Sequence, residues 1–205
     1  MLRVAAAIML WSGAEAAVAQ EQTPDMGATA PVLDAHERHP REQEPGPDHD
    51  LPNVLIIGDS ISIGYTRDVR SLLEGKAHVV HNPGNAQGTT LGRKELAAWL
   101  GKTRWDVIHF NWGLHDLKRV KTAGTSQNSN DPNDPHQASL AQYTENMNVL
   151  VKQLKDTGAG LIFATTTPFP AGVRPYRAPE DARRYNEAAV QIMHANEITV
   201  NDLYG

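Results

Sequence analysis

The chain contains no cysteine. That excludes a disulfide framework, a thiolate zinc site and a thiol nucleophile, while leaving the compartment open. It also lacks a basic excess: 19 Lys and Arg stand against 24 Asp and Glu, for a formal net charge of −5. No general basic surface is available for nucleic acid or anionic lipid, so we expect no nucleic-acid partner. No apolar run is long enough to span a bilayer permanently. The Gly-rich spacing of Walker and dinucleotide loops is missing, and no internal repeat is visible.

What is present fits one sizeable domain: 205 residues, of which 40% are hydrophobic. At the N-terminus, Arg3 precedes a short apolar run from Val4 to Trp11, and Ala17-Val18-Ala19 gives a small-x-small pattern before Gln20. This is the layout of a secretory signal peptide over residues 1–19. It predicts a secreted or periplasmic protein, with no stable membrane insertion after cleavage. Residues 20–51 are rich in Pro, Glu, Asp, Gln and His and poor in apolar residues. They cannot bury enough surface to offset their ordering entropy and read as a disordered linker. His36, His39 and His49 fall there with irregular spacing, which fits a solvated tail rather than a metal site.

From Pro52 the pattern changes. Residues 54–57 are a continuous apolar run ending at Gly58, as expected of a strand buried on both faces. Further strands are expected at 77–81, 106–110, 161–164 and 198–200. The helices expected between them cover about 64–73, 91–100, 139–156 and 180–195. Tyr143, Met147, Leu150, Val151 and Leu154 form the apolar stripe of the third helix. This alternation predicts an α/β fold with a five-stranded parallel sheet and helices on both faces. Ligands of such sheets sit at the carboxyl ends of the strands. Three polar clusters fall there: 58–60, 82–90 and 113–116.

A serine between a buried strand and a helix, as in Gly58-Asp59-Ser60, has its own N–H available at the positive end of the helix dipole. A nucleophilic serine whose intermediate carries an oxyanion needs that arrangement. A simple N-cap role for Ser60 is the competing reading.

Together the three clusters resemble the blocks of the SGNH (GDSL) hydrolase family over residues 53–205. Gly58-Asp59-Ser60-Ile61 is similar to its Gly-Asp-Ser-Leu block. The stretch 82–90 is similar to the second block, whose glycine N–H helps form the oxyanion hole. Gly113-Leu114-His115-Asp116 is similar to the third, Gly-x-Asn-Asp. The resemblance implies a flavodoxin-like three-layer sandwich and metal-free, cofactor-free hydrolysis of carboxylic esters. It also implies Ser60 as nucleophile and an oxyanion hole made by Ser60, Gly88 and His115. The substrate would be an acyl or acetyl ester of a small molecule, polysaccharide or lipid.

The sequence departs from the family in three places. An ungapped match puts Gln87 at the family glycine, with Gly88 next. We favour Gly88, because glycine tolerates the left-handed backbone such loops use. His115 stands where the family has asparagine; its imidazole can still donate, and Asn111 is the alternate donor. The family's general base lies in a C-terminal Asp-x-x-His, and none is present in these residues. It is expected beyond Gly205, in a loop and helix completing the domain. Of the histidines present, His136 in the polar loop 122–137 is the one with freedom to reach a strand-end site. Trp112 and the loop 168–176 are candidate pocket walls, and Arg174 and Arg177 candidate partners for an acidic group. Two other functions share this scaffold: a catalytically inactive binding domain, and a flavodoxin-like cofactor binder.

Overall fold

The apolar run that opens the ordered sequence becomes the middle of a sheet. The computed structural model describes residues 51–205, so the leader 1–19 and the linker up to residue 50 lie outside the described residues. The elements are β1 (Asn53–Ile57), α1 (Ser60–Leu72), β2 (His78–His81), α2 (Thr89–Leu100), β3 (Val107–Phe110), α3 (Leu140–Lys155), β4 (Gly160–Ala164), α4 (Pro179–Ala195) and β5 (Thr199–Asn201). The strand order is β2-β1-β3-β4-β5, and every pairing is parallel. This is the flavodoxin-like order, with its topological switch point between β1 and β3.

The pleat divides the core. Val54 and Ile56 face α1 and pack with Tyr65, Val69 and Leu73. Leu55 and Ile57 face the other way, among Leu96, Met147, Leu150, Tyr185 and Met193 of α2, α3 and α4. Side chains alternate across a strand, so an all-apolar β1 is the natural solution for a sheet covered on both sides. Along α3 the predicted stripe of Tyr143, Met147, Leu150, Val151 and Leu154 is buried throughout. Each such side chain contributes roughly 1.5–3 kcal/mol by leaving water.

Two expectations need correction. The first helix begins at Ser60, four residues before the expected start, because the Asp59 carboxylate accepts the Ile61 N–H at 2.9 Å and caps it. Polarity hides this turn: Ile61 and Ile63 are 41% and 47% exposed, while Ser62 between them is buried. Trp112, expected near a pocket, is instead core. A Cβ on Gly92 would stand 2.8 Å from its ring, so α2 lies directly on the indole. Among the described residues, no helix is long and apolar enough to cross a membrane.

Candidate active site

The three polar clusters sit at the carboxyl ends of the adjacent strands β2, β1 and β3, and buried side chains lock them together. Asn82 Oδ1 accepts the Gly58 N–H at 2.9 Å, and the Ala86 N–H donates to the Gly58 carbonyl at 3.0 Å. These bonds join the first cluster to the second. Asp116 joins the second to the third: its carboxylate accepts the Thr89 N–H at 2.9 and 3.1 Å and the Thr89 hydroxyl at 2.5 Å. Asn146 on α3 donates to the same hydroxyl at 3.0 Å. Burial pushes the Asp116 carboxyl up to about 7, against the pull of the Thr89 donors.

Ser60 occupies the first position of α1 and is exposed. Its N–H and its hydroxyl make no hydrogen bond among the described residues. The donor is therefore free at the positive end of a 13-residue helix. The alternative cap role falls away, because Asp59 caps the helix. Asp59 itself is buried, and desolvation raises its carboxyl above the usual range, against the pull of the Ile61 N–H and the Arg177 charge.

In the second cluster, the left-handed residue is Gln87, with φ 49°, while Gly88 is extended. The conformational reason for preferring Gly88 does not hold. A different reason takes its place: the Gln87 N–H is already given to Asn85 Oδ1 at 2.7 Å, while the Gly88 N–H makes no hydrogen bond. Space favours glycine at 88, since a Cβ there would stand 3.0–3.2 Å from the Asp116 carboxylate, which would have to give by a few tenths of an ångström.

His115 lies beside Asp59, its Nε2 at 4.0 Å from Asp59 Oδ2, which is beyond hydrogen-bond distance. Its Nδ1 is enclosed without a partner, so Nε2 is the nitrogen that can meet a ligand. Burial, reinforced by Lys118 and Arg177, lowers its pKa to about 4. At neutral pH the ring is neutral and has one N–H to donate. The alternate, Asn111, spends its amide on the Ala164 carbonyl at 2.7 Å, tying β3 to β4.

Three of the other histidines are occupied elsewhere or enclosed, and His194 is exposed on the last turn of α4. His136, expected to be free, accepts Arg119 at Nδ1 (3.1 Å) and donates from Nε2 to the buried Asp181 at 2.7 Å. Its place in that network holds it between the loop and α4. His81 Nε2 is bonded to the buried Ser62 hydroxyl at 2.7 Å. His109 is buried between the sheet and α1, edge-on to Tyr65, and burial lowers its pKa to about 4. No histidine among the described residues hydrogen-bonds Ser60. No group of three His, Asp or Glu among them could hold a metal ion.

Sequence reasoning missed the capping role of Asp59 and the bracing role of Asp116. The available signal for Asp59 was its place directly before a helix-starting serine. Arg177 was singled out, and it does reach the third cluster: its Nε donates to the Leu114 carbonyl at 2.9 Å. Arg174 is exposed on the loop 165–178.

No family model and no curated protein matches this chain. Solved structures do. An acetyl xylan esterase, AlAXEase, aligns with a TM-score of 0.60 at 12% identity, over 74% of this chain and 77% of its own. A lipase/acylhydrolase from Enterococcus faecalis aligns at 0.58 and 18%, over 75% and 77%. A GDSL-like lipase from Bacteroides thetaiotaomicron aligns at 0.56 and 13%, over 73% and 67%. At these identities the likeness is one of fold: the chain shares the α/β three-layer architecture of GDSL-like lipases and acylhydrolases.

Proposed function

We propose that the protein is a serine hydrolase of carboxylic (acyl or acetyl) esters, with Ser60 as nucleophile. One observation carries this reading: an exposed serine hydroxyl with no hydrogen-bond partner, on the first residue of α1 at the sheet's switch point, above its own unpaired N–H. The esterase and acylhydrolase folds it resembles support the same chemistry.

In the proposed mechanism the Ser60 hydroxyl attacks the ester carbonyl carbon while its proton passes to a base. The carbonyl oxygen becomes an oxyanion, held by the N–H groups of Ser60 and Gly88 and by His115 Nε2–H. Collapse expels the alcohol, which takes up the proton, and leaves an acyl-serine. Water then attacks that carbonyl, releasing the acid and restoring Ser60. The base is a histidine other than those described at the site, in keeping with the Asp-x-x-His that the resemblance implies. We place the enzyme outside the cytoplasm, acting on esters of small molecules, polysaccharides or lipids. The fold matches to an acetyl xylan esterase and to lipases or acylhydrolases are in keeping with either an acetyl or a longer acyl group.

A second reading has one observation in its favour. A non-catalytic binding domain on this scaffold would need no histidine at Ser60, and none of the described histidines bonds it. A fluorophosphonate separates the two. The hydrolase reading expects a stoichiometric adduct on Ser60, located by peptide mass spectrometry and absent from Ser60→Ala. It also expects p-nitrophenyl acetate turnover that the same folded variant loses. An unlabelled Ser60, or undiminished turnover in Ser60→Ala, would favour the binding domain.

A further inference from the structure

Beside His115 stand two cations, Lys118 and Arg177, that form no ion pair within 4.0 Å among the described residues, although Asp116 and Asp59 act on them from further off. Lys118 is only 6% exposed. Its side chain makes no hydrogen bond or ion pair among the described residues. The basic groups around it contrast with this. Arg119, the next residue, pairs with Asp181 at 3.5 Å, Arg184 with Asp181 at 3.2 Å, and Lys121 with Asp134 at 3.1 Å. Asp116 acts on Lys118 through its charge but makes no ion pair with it, its carboxylate being hydrogen-bonded to Thr89. A buried cation without a counter-ion is costly, and such groups are ordinarily paired.

The backbone holds Lys118 and Arg177 together. The Arg119 N–H donates to the Tyr176 carbonyl at 2.9 Å, so the 118–119 peptide abuts the 176–177 peptide. Arg177 Nε is fixed on the Leu114 carbonyl at 2.9 Å, and the Leu117 N–H closes the turn onto Gly113 at 3.0 Å. That turn carries His115, whose Nε2 faces Asp59, the residue before Ser60. Asp59 is the nearby acid, and it forms no ion pair with Arg177 within 4.0 Å. Burial and the Arg177 charge also push the Lys118 pKa below its usual value, against the pull of Asp116.

We infer that Lys118 and Arg177 form an anion subsite next to the reacting serine, so that the ester substrate carries a compact anionic group, a carboxylate or a phosphate. This deepens the hydrolase reading and rests on it for the word substrate; anion binding itself does not depend on Ser60. Arg177, whose Nε and Nη1 already donate to the Leu114 and Pro175 carbonyls, supplies its remaining N–H groups, and Lys118 a point charge, a combination suited to either oxyanion.

The test uses the full chain and two matched esters, 4-nitrophenyl hydrogen glutarate, which is anionic, and 4-nitrophenyl butyrate, which is neutral. Acylation of Ser60 is followed by nitrophenolate release and intact mass. The anionic ester should acylate Ser60 about tenfold faster or more, the scale of one charge-assisted contact. Lys118→Met should erase most of that ratio, and Lys118→Arg should keep it. Arg177→Gln, read in the same way, decides the matter should Lys118→Met fail to fold. Equal rates for the two esters in the wild type, or an undiminished ratio in folded Lys118→Met, would overturn the proposal.

Should neither ester acylate Ser60, the hydrolase reading fails, and calorimetric titration with glutarate and with inorganic phosphate tests the subsite alone. Binding that is lost in Lys118→Met supports it, and the tighter of the two ligands identifies the group. Binding of neither sinks it.

Discussion

Replacing Asp116 with asparagine should remove a pH dependence from the stability of this fold. Asp116 is 1% exposed, and burial raises its carboxyl from the ordinary 3.8 to about 7. Between those values the folded chain holds a proton on Asp116 that the unfolded chain has released. The contribution of Asp116 is therefore fully present below about pH 4 and is lost as pH rises toward 7. The size of the shift corresponds to roughly 4 kcal/mol as an upper bound. The absolute stability curve does not isolate this effect, because other groups titrate in the same range. His115 and His109, both lowered to about 4, work in the opposite sense: their contributions are lost as pH falls from about 6.5 toward 4. Asp59 is raised and works with Asp116. The informative quantity is the difference between wild type and Asp116→Asn, measured by urea unfolding followed by circular dichroism at intervals from pH 4 to pH 8. Wild type should be the more stable at pH 4, where the proton is retained, and should lose that advantage by a few kcal/mol toward pH 8. A difference that is flat across the range would refute the reasoning, and with it the claim that Asp116 is protonated in the fold.

Three further outcomes follow from the same geometry. Gly88→Ala should cost about 1–3 kcal/mol, because its Cβ would press on the Asp116 carboxylate, and urea unfolding at pH 7 checks it. If His115 donates to the oxyanion, His115→Ala should lower the Ser60 acylation rate roughly ten- to a thousand-fold, and His115→Asn should recover much of it. Full activity in the alanine variant would assign His115 to packing. Asn82→Ala leaves the Gly58 N–H without its acceptor, which should cost about 1–3 kcal/mol by thermal or urea unfolding.

Where the sequence was legible, one physical signal dominated. An all-apolar β1 and a 3.6-residue stripe on α3 are direct consequences of which faces are buried, and both appear in the fold as read. The start of α1 was not legible, because its first turn reverses the usual polarity: Ile61 and Ile63 face solvent and Ser62 is buried against His81. The fate of His136 was hidden for another reason. Its partner Asp181 lies 45 residues away, on α4, and no local pattern announces a pairing across that distance. Trp112 was misread because Gly92, the residue that lets α2 settle on its ring, shows its purpose only once the helices are packed. Lys118 drew no attention in the sequence, because only burial and the absence of an ion pair set it apart from Arg119 and Lys121.

The conspicuous polar residues of the three clusters divide into two kinds. Asn82, Asn111 and Asp116 look like chemistry in the sequence, yet each is spent on a neighbouring backbone: Gly58 N–H, the Ala164 carbonyl and Thr89 N–H. Thr165 continues the series, donating to Asp202 Oδ1 at 2.8 Å and accepting the Leu203 N–H at 2.7 Å. Each strand end from β2 to β5 is thus tied to at least one other around Ser60, mostly by side chains that are themselves buried. Loops at strand ends gain most from such ties, since each fixes backbone that would otherwise keep its conformational freedom. Among the described residues, the groups left without a hydrogen-bond partner at these strand ends include the Ser60 hydroxyl and N–H, the Gly88 N–H, the His115 ring, the Thr166 hydroxyl and the Lys118 ammonium. A frame that satisfies its own joints and leaves these groups open is organised before any ligand arrives, which is the condition for donors to stabilise charge without reorganising. It follows that loss of a joint such as Asn82 should lower the acylation rate of Ser60 as well as stability, although Asn82 touches no reacting atom. A variant of Asn82 that unfolds more easily yet acylates at the wild-type rate would show that the joints serve the fold alone.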